Sequence, residues 1–378
     1  MNIIGIIAEY NPFHNGHLYH LDYIKEKYKD SVIIAVVSSN FVQRGSISII
    51  SKWEKTKICL EYGVDIVLEL PFVFANESAD FFAINALKIL SNFKVDTIIF
   101  GSECGDSSSY TKYANIQLNN TDYANYVKKN LANGFNFPTS SSLALKEICG
   151  EEVNLPNDIL GLAYTKAIIK NSYDIKIETI KRTNSYHSLS INKISSATSI
   201  RKAIQSGVNY DICVPDFSKK ILKNSRLYSN ADFFIMLKYK IISSTVEELA
   251  AIHLVEEGIE YRIKKMVSVS YGFDSLVKNI SSKRYTYARV SRLLFNILIN
   301  YKKKDRIDIQ NQNYFRVLGF NKKGQKYLKI LKNQNIKFST NIKNINNYVS
   351  YFEYRVSSII KIIDSSYEEN KIIIKEEL

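Results

Sequence analysis

No run of eighteen or more apolar residues occurs in the 378-residue chain, so no membrane-spanning helix is expected. The apolar start, MNIIGIIAEYNPFHNGH, lacks the basic leader and small-residue cleavage site of a secretion signal, and reads as a buried first strand. Cysteine is scarce: Cys59, Cys104, Cys149 and Cys213 lie far apart and form no CxxC pair. A zinc ribbon or disulfide framework is thereby excluded, and reduced thiols in a cytoplasmic protein are expected. Acid is short as well: 37 Asp and Glu face 51 Lys and Arg, a formal net charge of +14. Such an excess suits a polyanionic partner such as RNA. Part of it reflects a composition crowded with Lys, Asn, Ile and Tyr, as an AT-rich genome produces. Internal repeats are also missing. Hydrophobic residues make up 46%, enough for ordinary globular cores, and the length suggests two domains.

The first half alternates strand and helix signals. Strands are expected at Ile3–Ala8, Ser31–Ser38, Asp65–Leu70, Val95–Phe100 and Ile175–Ile180. Helices are expected at Leu18–Lys29, Lys52–Tyr62, Asn76–Asn92, across most of Tyr110–Lys146, at Asn157–Lys170 and from Ser199. A short polar linker, Gly105–Ser109, follows the fourth strand. This order predicts an α/β fold, a Rossmann-like doubly wound parallel sheet. From about Tyr210 the alternation stops, and Ala231–Lys240, Thr245–Lys265, Phe273–Ile280 and Tyr285–Tyr301 read as helices. We therefore expect a catalytic domain over 1–215 and a mostly helical, basic domain over 216–378, with a frayed tail from Glu368.

The chemistry concentrates in IIGIIAEYNPFHNGHLYHLD. A hydrophobic strand runs into a turn containing His14, Asn15, Gly16 and His17, and a helix follows. Gly16 admits a phosphate chain close to the backbone. The helix start offers free N–H groups and the positive dipole end. His14 and His17, three apart, can face one group and stabilise charge on a pentacoordinate α-phosphate. Ordinary turn histidines or a two-histidine metal site are the alternatives; the strand, glycine and helix around them favour adenylyl transfer. His20, one turn later, either touches the nucleotide or caps a face. A second signature is ISSATSIR at Ile194–Arg201. Its hydroxyls, Ser199 among them, and its N–H groups suit phosphate, and Arg201 can neutralise a leaving pyrophosphate.

HNGH resembles the HxGH motif of the HIGH-type nucleotidyltransferase superfamily, and ISSATSIR resembles its ISSTxxR motif. More narrowly, the chain is similar to the tRNA(Met) cytidine acetate ligase family. The stretches that carry the likeness are GIIAEYNPFHNGHLYHL, SSNFVQRGSISIISKWEKTKICLEYGVDIVLELP, FGSE, LPNDILGLAYTKAI, IKRTNSYHS, KRYTYARVSRLL and YFRVLGFNKKG, in order along the chain. The resemblance implies a ligase that activates acetate with ATP and passes the acetyl group to N4 of the wobble cytidine of elongator tRNA(Met). It implies an ATP site on Ile7, Ala8, Glu9, Tyr10, Asn11, Pro12, Phe13, His14, Asn15, Gly16, His17, Leu18, Tyr19 and His20, with Gly101, Asn157 and Arg182. Ala197 departs from the pattern, standing where Ser or Thr is common.

Gly101 follows the fourth strand at the edge where nucleotides bind in such sheets, though a plain turn glycine would also stand there. Asn157 either reads an adenine edge or caps a helix, and Arg182 is either a phosphate ligand or a surface charge. Arg44, in a polar loop after the second strand, is a candidate catalytic residue for the triphosphate, the acetate carboxylate or the cytidine. Trp53 nearby is expected in the core. Lys283, Arg284, Arg289, Arg292, Arg316, Lys322 and Lys323 are the candidate RNA contacts, the first four interleaved with Tyr285 and Tyr287. No carboxylate cage for a metal is visible, so Mg²⁺ is expected to arrive with ATP. No stable protein partner is expected. A compact cofactor-type adenylyltransferase, a citrate lyase ligase-like acetate ligase and a non-catalytic RNA-binding protein are the competing readings.

Overall fold

The computed structural model describes residues 1–181 and 195–376. Its sheet has the strand order β7-β6-β1-β2-β5-β8-β9. The first five in chain order are β1 (Ile3–Ala8), β2 (Val32–Ser38), a tiny antiparallel pair β3 (Phe41–Val42) and β4 (Ser46–Ile47) outside the main sheet, and β5 (Ile66–Leu70). β6 (Thr97–Ser102) and β7 (Lys176–Lys181) follow. β2 is β-branched and apolar, and every residue in it is buried, as a strand covered on both faces requires. It pairs in parallel with β1 from Ile3–Val32 to Ala8–Val37, and with β5 on its other side.

The chain moves outward from β1 to β2 and β5, then returns to lay β6 along the opposite side of β1. That reversal opens a crevice at the carboxyl ends of β1 and β6, where nucleotides settle in open α/β sheets. Helices α1 (Asn15–Lys27), α2 (Lys52–Glu61), α3 (Phe72–Ala75) and α4 (Ala79–Asn92) link these strands. The helix expected over Asn76–Asn92 begins only at Ala79, because Asn76 and Glu77 turn their side chains into bonds with the second half of the chain. After β6 come α5 (Ser107–Asn119), α6 (Thr121–Ala132), α7 (Phe137–Cys149) and α8 (Pro156–Asn171). The expected linker at Gly105–Ser109 is shorter than read, since Asp106 accepts from the Ser108 amide and starts α5.

Helix α9 (Ala197–Gln205) is followed by α10 (Asp216–Asn224), α11 (Phe234–Ser243), α12 (Val246–Ala250), α13 (Ile259–Val269), α14 (Phe273–Ile280), α15 (Tyr287–Ile299) and α16 (Lys303–Ile309). The helix expected across Thr245–Lys265 is broken by Leu254, Glu257 and Gly258, all at positive φ. This half is mostly helical, as expected, but β8 (Val317–Asn321) returns to pair antiparallel with β5. α17 (Lys322–Asn333) and α18 (Tyr348–Ile363) follow, and β9 (Ile373–Lys375) pairs with β8. One continuous apolar core runs from Ile3 to Tyr367; Phe41 of the first half meets Phe295 of α15 edge-on at 4.7 Å between ring centres.

Beneath this core lies a buried ionic cluster. Lys52 donates to Glu69 (2.5 Å), Glu369 (2.7 Å) and Glu353 (3.2 Å). Arg316 binds Glu69 at 3.0 Å, the Glu369 carboxylate, and the Glu369 carbonyl at 2.7 Å. Tyr314 donates to Glu69 at 2.6 Å. Burial opposes ionisation of Glu69, but Lys52 and Arg316 outweigh it and hold its carboxyl at about 2. Burial pushes Glu353 up to about 7. Three carboxylates against two cations are balanced when Glu353 holds its proton. This arrangement corrects two expectations. Arg316 is fully buried and cannot meet RNA, and the tail is not frayed at Glu369, which is packed against Ser357 and Tyr367. Glu369→Ala should cost about 3–5 kcal/mol by removing the buried carboxylate that bridges Lys52 and Arg316. Urea unfolding of the variant checks this, and a loss below about 1 kcal/mol would mean the cluster contributes little to stability.

Candidate active site

β1 ends in a turn with Tyr10 at φ 45° and a cis Asn11–Pro12 peptide. His14 then caps α1. Its Nδ1 accepts from the Gly16 amide at 3.1 Å, and Nδ1 of His17 accepts from the His14 amide at 3.2 Å. These reciprocal bonds form a capping box and stack the two rings 3.7 Å apart. With both Nδ1 atoms accepting, a neutral ring carries its proton on Nε2. The turn therefore supplies two fixed donors and a helix N-terminus at one spot. Phe13 is not part of that surface: it is buried and stacks on Tyr62 at 5.2 Å.

The spot opens on a cavity of about 870 Å³. Ile7, Ala8, Glu9, Tyr10, Asn11, His14, Gly16, His17, Tyr19 and His20 line it, as do Gly101 and Asn157. Pro12, Phe13, Asn15 and Leu18 do not; Asn15 instead bonds the Ile212 carbonyl at 2.9 Å. Ser195, Ser196, Ala197, Thr198 and Arg201 form another wall. Ser199 lies below it, buried, with its hydroxyl 2.7 Å from that of Ser196, which caps α9. Ala197, without a hydroxyl, still presents the amide end of the helix. Arg201 reaches the Asn11 carbonyl and Thr198, so it ties α9 to the turn after β1. Arg182 and Ile194 lie outside the described residues.

Two acids missed in the sequence organise the β6 edge. Asp158 of α8 accepts from Ser102 (2.8 Å), the Glu103 amide (2.9 Å) and Tyr110 (2.6 Å). Glu103 accepts from Asn157 at 2.5 Å and from the Asp158 amide at 3.1 Å. The Asn157 carboxamide is therefore aimed by Glu103 beside Gly101. Only the local pattern FGSE followed by PND hinted at this pairing.

Arg44 is exposed and lines the cavity, in a loop held from both sides. The Gln43 amide donates to Glu9 at 2.7 Å. Gly45, at φ 75°, packs so tightly on α15 that a Cβ would stand 2.4 Å from the Arg292 amide nitrogen. Ser291 closes the contact by donating to the Gly45 carbonyl. α15 thereby carries Arg289 and Arg292 to the same cavity, with Arg284 just before it. Arg284 pairs with Glu257, and Arg289 with Glu256 at 2.6 Å. Arg292, a candidate RNA contact, lines the cavity wall, bonded to the Gln43 carbonyl at 3.2 Å. Lys283 is exposed at the same end of the chain segment. Lys322 and Lys323 are not brought there. Lys323 pairs with Asp65 at 3.0 Å, at the amino end of β5, roughly 15 Å of strand away from the carboxyl edge. Lys52, at the start of α2, sits in the buried cluster, and Trp53 is buried as expected.

A HIGH nucleotidyl transferase family model matches residues 1–373. A Mycoplasma mobile protein named tRNA(Met) cytidine acetate ligase is 42% identical over 302 residues, covering 79% of this chain and 99% of that protein. The chain belongs to the tRNA(Met) cytidine acetate ligase family. A Caldanaerobacter subterraneus protein of the same name is 41% identical over 351 residues, 88% of this chain and 86% of the relative. The crystal structure of Thermotoga maritima TmcAL bound with alpha-thio ATP superposes with a TM-score of 0.86 at 27% identity, covering 96% of this chain and 93% of that one. In this ligase-family fold the Rossmann-like sheet and the crevice at its reversal are the expected ones.

Lys55 was not singled out in the sequence. It is buried behind the ligase-family motif and donates to the carbonyls of Ser38 (2.5 Å), Ser39 (2.7 Å) and Glu9 (3.2 Å), fastening the ends of β1 and β2. Burial pulls its ammonium down to about 7, against the attraction of the Glu9 carboxylate. Between about 7 and the ordinary 10.5 the unfolded chain binds a proton that the folded chain lacks, so this group makes stability rise with pH there. Lys55→Met should remove that contribution. Urea midpoints at about pH 7 and about pH 9 test it: a wild-type-to-variant gap that does not change with pH would refute the assignment.

Proposed function

We propose that this chain is an ATP-dependent acetate ligase that makes acetyl-adenylate and acetylates N4 of the wobble cytidine of elongator tRNA(Met). The observation that carries the reading is one cavity shared by the stacked His14–His17 pair, Arg201, Gly101 and the arginines of the C-terminal half. A relative 42% identical over 302 residues bears that ligase's name.

In the first step an acetate oxygen attacks the α-phosphorus of ATP. A carboxyl O–P bond forms, the bond to the β-phosphate oxygen breaks, and pyrophosphate leaves. His14 and His17 give Nε2–H donors to the α-phosphate as its charge grows. Arg201 and the amide end of α9 receive the pyrophosphate, and Gly101 and Asn157 receive the nucleoside. Arg44 closes the acceptor side. In the second step the cytidine N4 attacks the acetyl carbonyl, AMP leaves with the electron pair of the acyl–phosphate bond, and N4 loses a proton to solvent. The base must be splayed from its stack to reach the cavity. Lys283, Arg284 and Arg289 meet the RNA backbone, which makes residues 216–378 the tRNA-facing part and 1–215 the catalytic part. A tRNA substrate sets the work in the cytoplasm.

Mg²⁺ accompanies ATP in this reading. Among the described residues the one close trio of potential ligands is Glu69, Glu353 and Glu369, and Lys52 occupies its centre, so the trio does not suit a metal. The metal is carried by the phosphates, where it offsets their charge.

Incubation with ATP, radiolabelled acetate and bacterial tRNA should label N4-acetylcytidine; label appearing in a small molecule or protein instead overturns the reading. His17→Ala should lower adenylate formation by about 10²–10³-fold while leaving tRNA affinity intact. That affinity should fall steeply with salt, and a flat response would remove Lys283, Arg284 and Arg289 from the phosphates.

A further inference from the structure

Three arginines of the C-terminal half line the cavity, and their electrostatic circumstances differ. Arg284 and Arg289 each have a carboxylate partner, Glu257 and Glu256. Arg292 has none among the described residues. Its guanidinium makes one hydrogen bond, from Nη1 to the Gln43 carbonyl, and its Nε is buried with no partner. The nearest acid that influences it, Glu77, is already engaged by His253 at 2.6 Å, by Arg306 at 3.2 Å and by the Ser78 amide at 3.2 Å. Burial pulls Arg292 down to about 10, which leaves it charged at neutral pH. A desolvated cation with one carbonyl contact is costly unless an anion completes it.

The walls around this group narrow the choice of anion. Ser78, Ala79 and Phe82 at the start of α4 line the cavity, as does Leu254, whose neighbour His253 holds Glu77. The Gln43 carbonyl holds the guanidinium's other flank, and the left-handed Gly45 packs on the Arg292 backbone. Ala79, Phe82 and Leu254 are small or apolar, and the one acid beside them in the wall, Asp80, is paired with Lys166 at 2.6 Å. A nucleotide's phosphates already have the α1 and α9 N-termini with His14, His17 and Arg201. An RNA phosphodiester carries a ribose on each side and needs an open groove. A planar two-oxygen anion with a small apolar tail fits the arginine fork and the walls together.

We infer that Arg292 is the residue that holds the carboxylate of the acid substrate, with Ala79, Phe82 and Leu254 around the methyl group. The inference rests on the acetate-activating reading above. It makes an arginine from the C-terminal half a specificity-determining residue of the first step. The Gly45–α15 contact then couples acid binding to the loop that carries Arg44.

Acetate-dependent ATP–pyrophosphate exchange without tRNA tests this on the full chain. Arg292→Gln should raise the KM for acetate by at least about tenfold, the worth of a charge-assisted bond to a buried partner, with the KM for ATP unchanged. Arg292→Lys, which keeps the charge and loses the fork, should fall between; it also serves if the glutamine variant does not fold. Added guanidinium ion should lower the acetate KM of Arg292→Ala, an effect a purely structural role would not give. An unchanged acetate KM overturns the inference. So does an effect confined to ATP, which would assign Arg292 to a nucleotide phosphate, or to tRNA, which would assign it to the RNA backbone. If the wild-type chain itself shows neither acetate-dependent exchange nor acetylation of tRNA, the ligase reading fails instead.

Discussion

The ionic cluster of Lys52, Arg316, Glu69, Glu353 and Glu369 is the constraint on which the rest of the molecule leans. Its members come from α2, the approach to β8, β5, α18 and the tail. In a dry interior none of these charges is tolerable without the others. Closing the cluster therefore fixes where the last quarter of the chain must lie. It sets β8 against β5, and through Tyr367 and Asn40 it reaches the loop after β2. That loop leads to Gln43, Arg44 and Gly45, which form one side of the cavity. A stability device far from the cavity thus helps to position the loop that carries Arg44.

The cavity itself is assembled from two kinds of part. Local parts, such as the His14–Gly16 and His14–His17 bonds, need only the turn and helix that contain them. Distant parts need the whole fold: Gly45 meets α15 across 246 residues, and Arg292 reaches Gln43 across 249. The first kind supplies phosphate chemistry common to many nucleotidyl transferases. The second kind supplies what makes this site narrower, a carboxylate receptor and a cationic wall beside the nucleotide crevice.

This division explains what could be read in advance. HNGH, the alternating strands and the helical second half are periodic or contiguous signals, and the sequence carries them openly. Arg316 looks like its neighbours Lys322 and Lys323, all of them cations near a strand end. Only its partners, 247 and 53 residues away, separate a buried ion from a surface one. Lys55 and Asp158 were illegible for the same reason, since their roles are defined by carbonyls and amides on other strands. β8 and β9 are short, and their pairing with a parallel sheet depends on contacts no local window contains.

The two walls of the cavity differ in how many contacts fasten them. The wall made by Gly45, Asn76 and α15 is clamped: a left-handed glycine pressed on a helix backbone, a serine bond, and Asn76 bridging the Arg292 carbonyl and Asn296. On the other side, α6 and α7 pack on each other and on α5, and Asn136 meets the clamped half through one long bond to the Lys283 carbonyl at 3.4 Å. The α6–α7 hairpin is thus tied to the arginine wall across the cavity far more lightly than that wall is tied within itself.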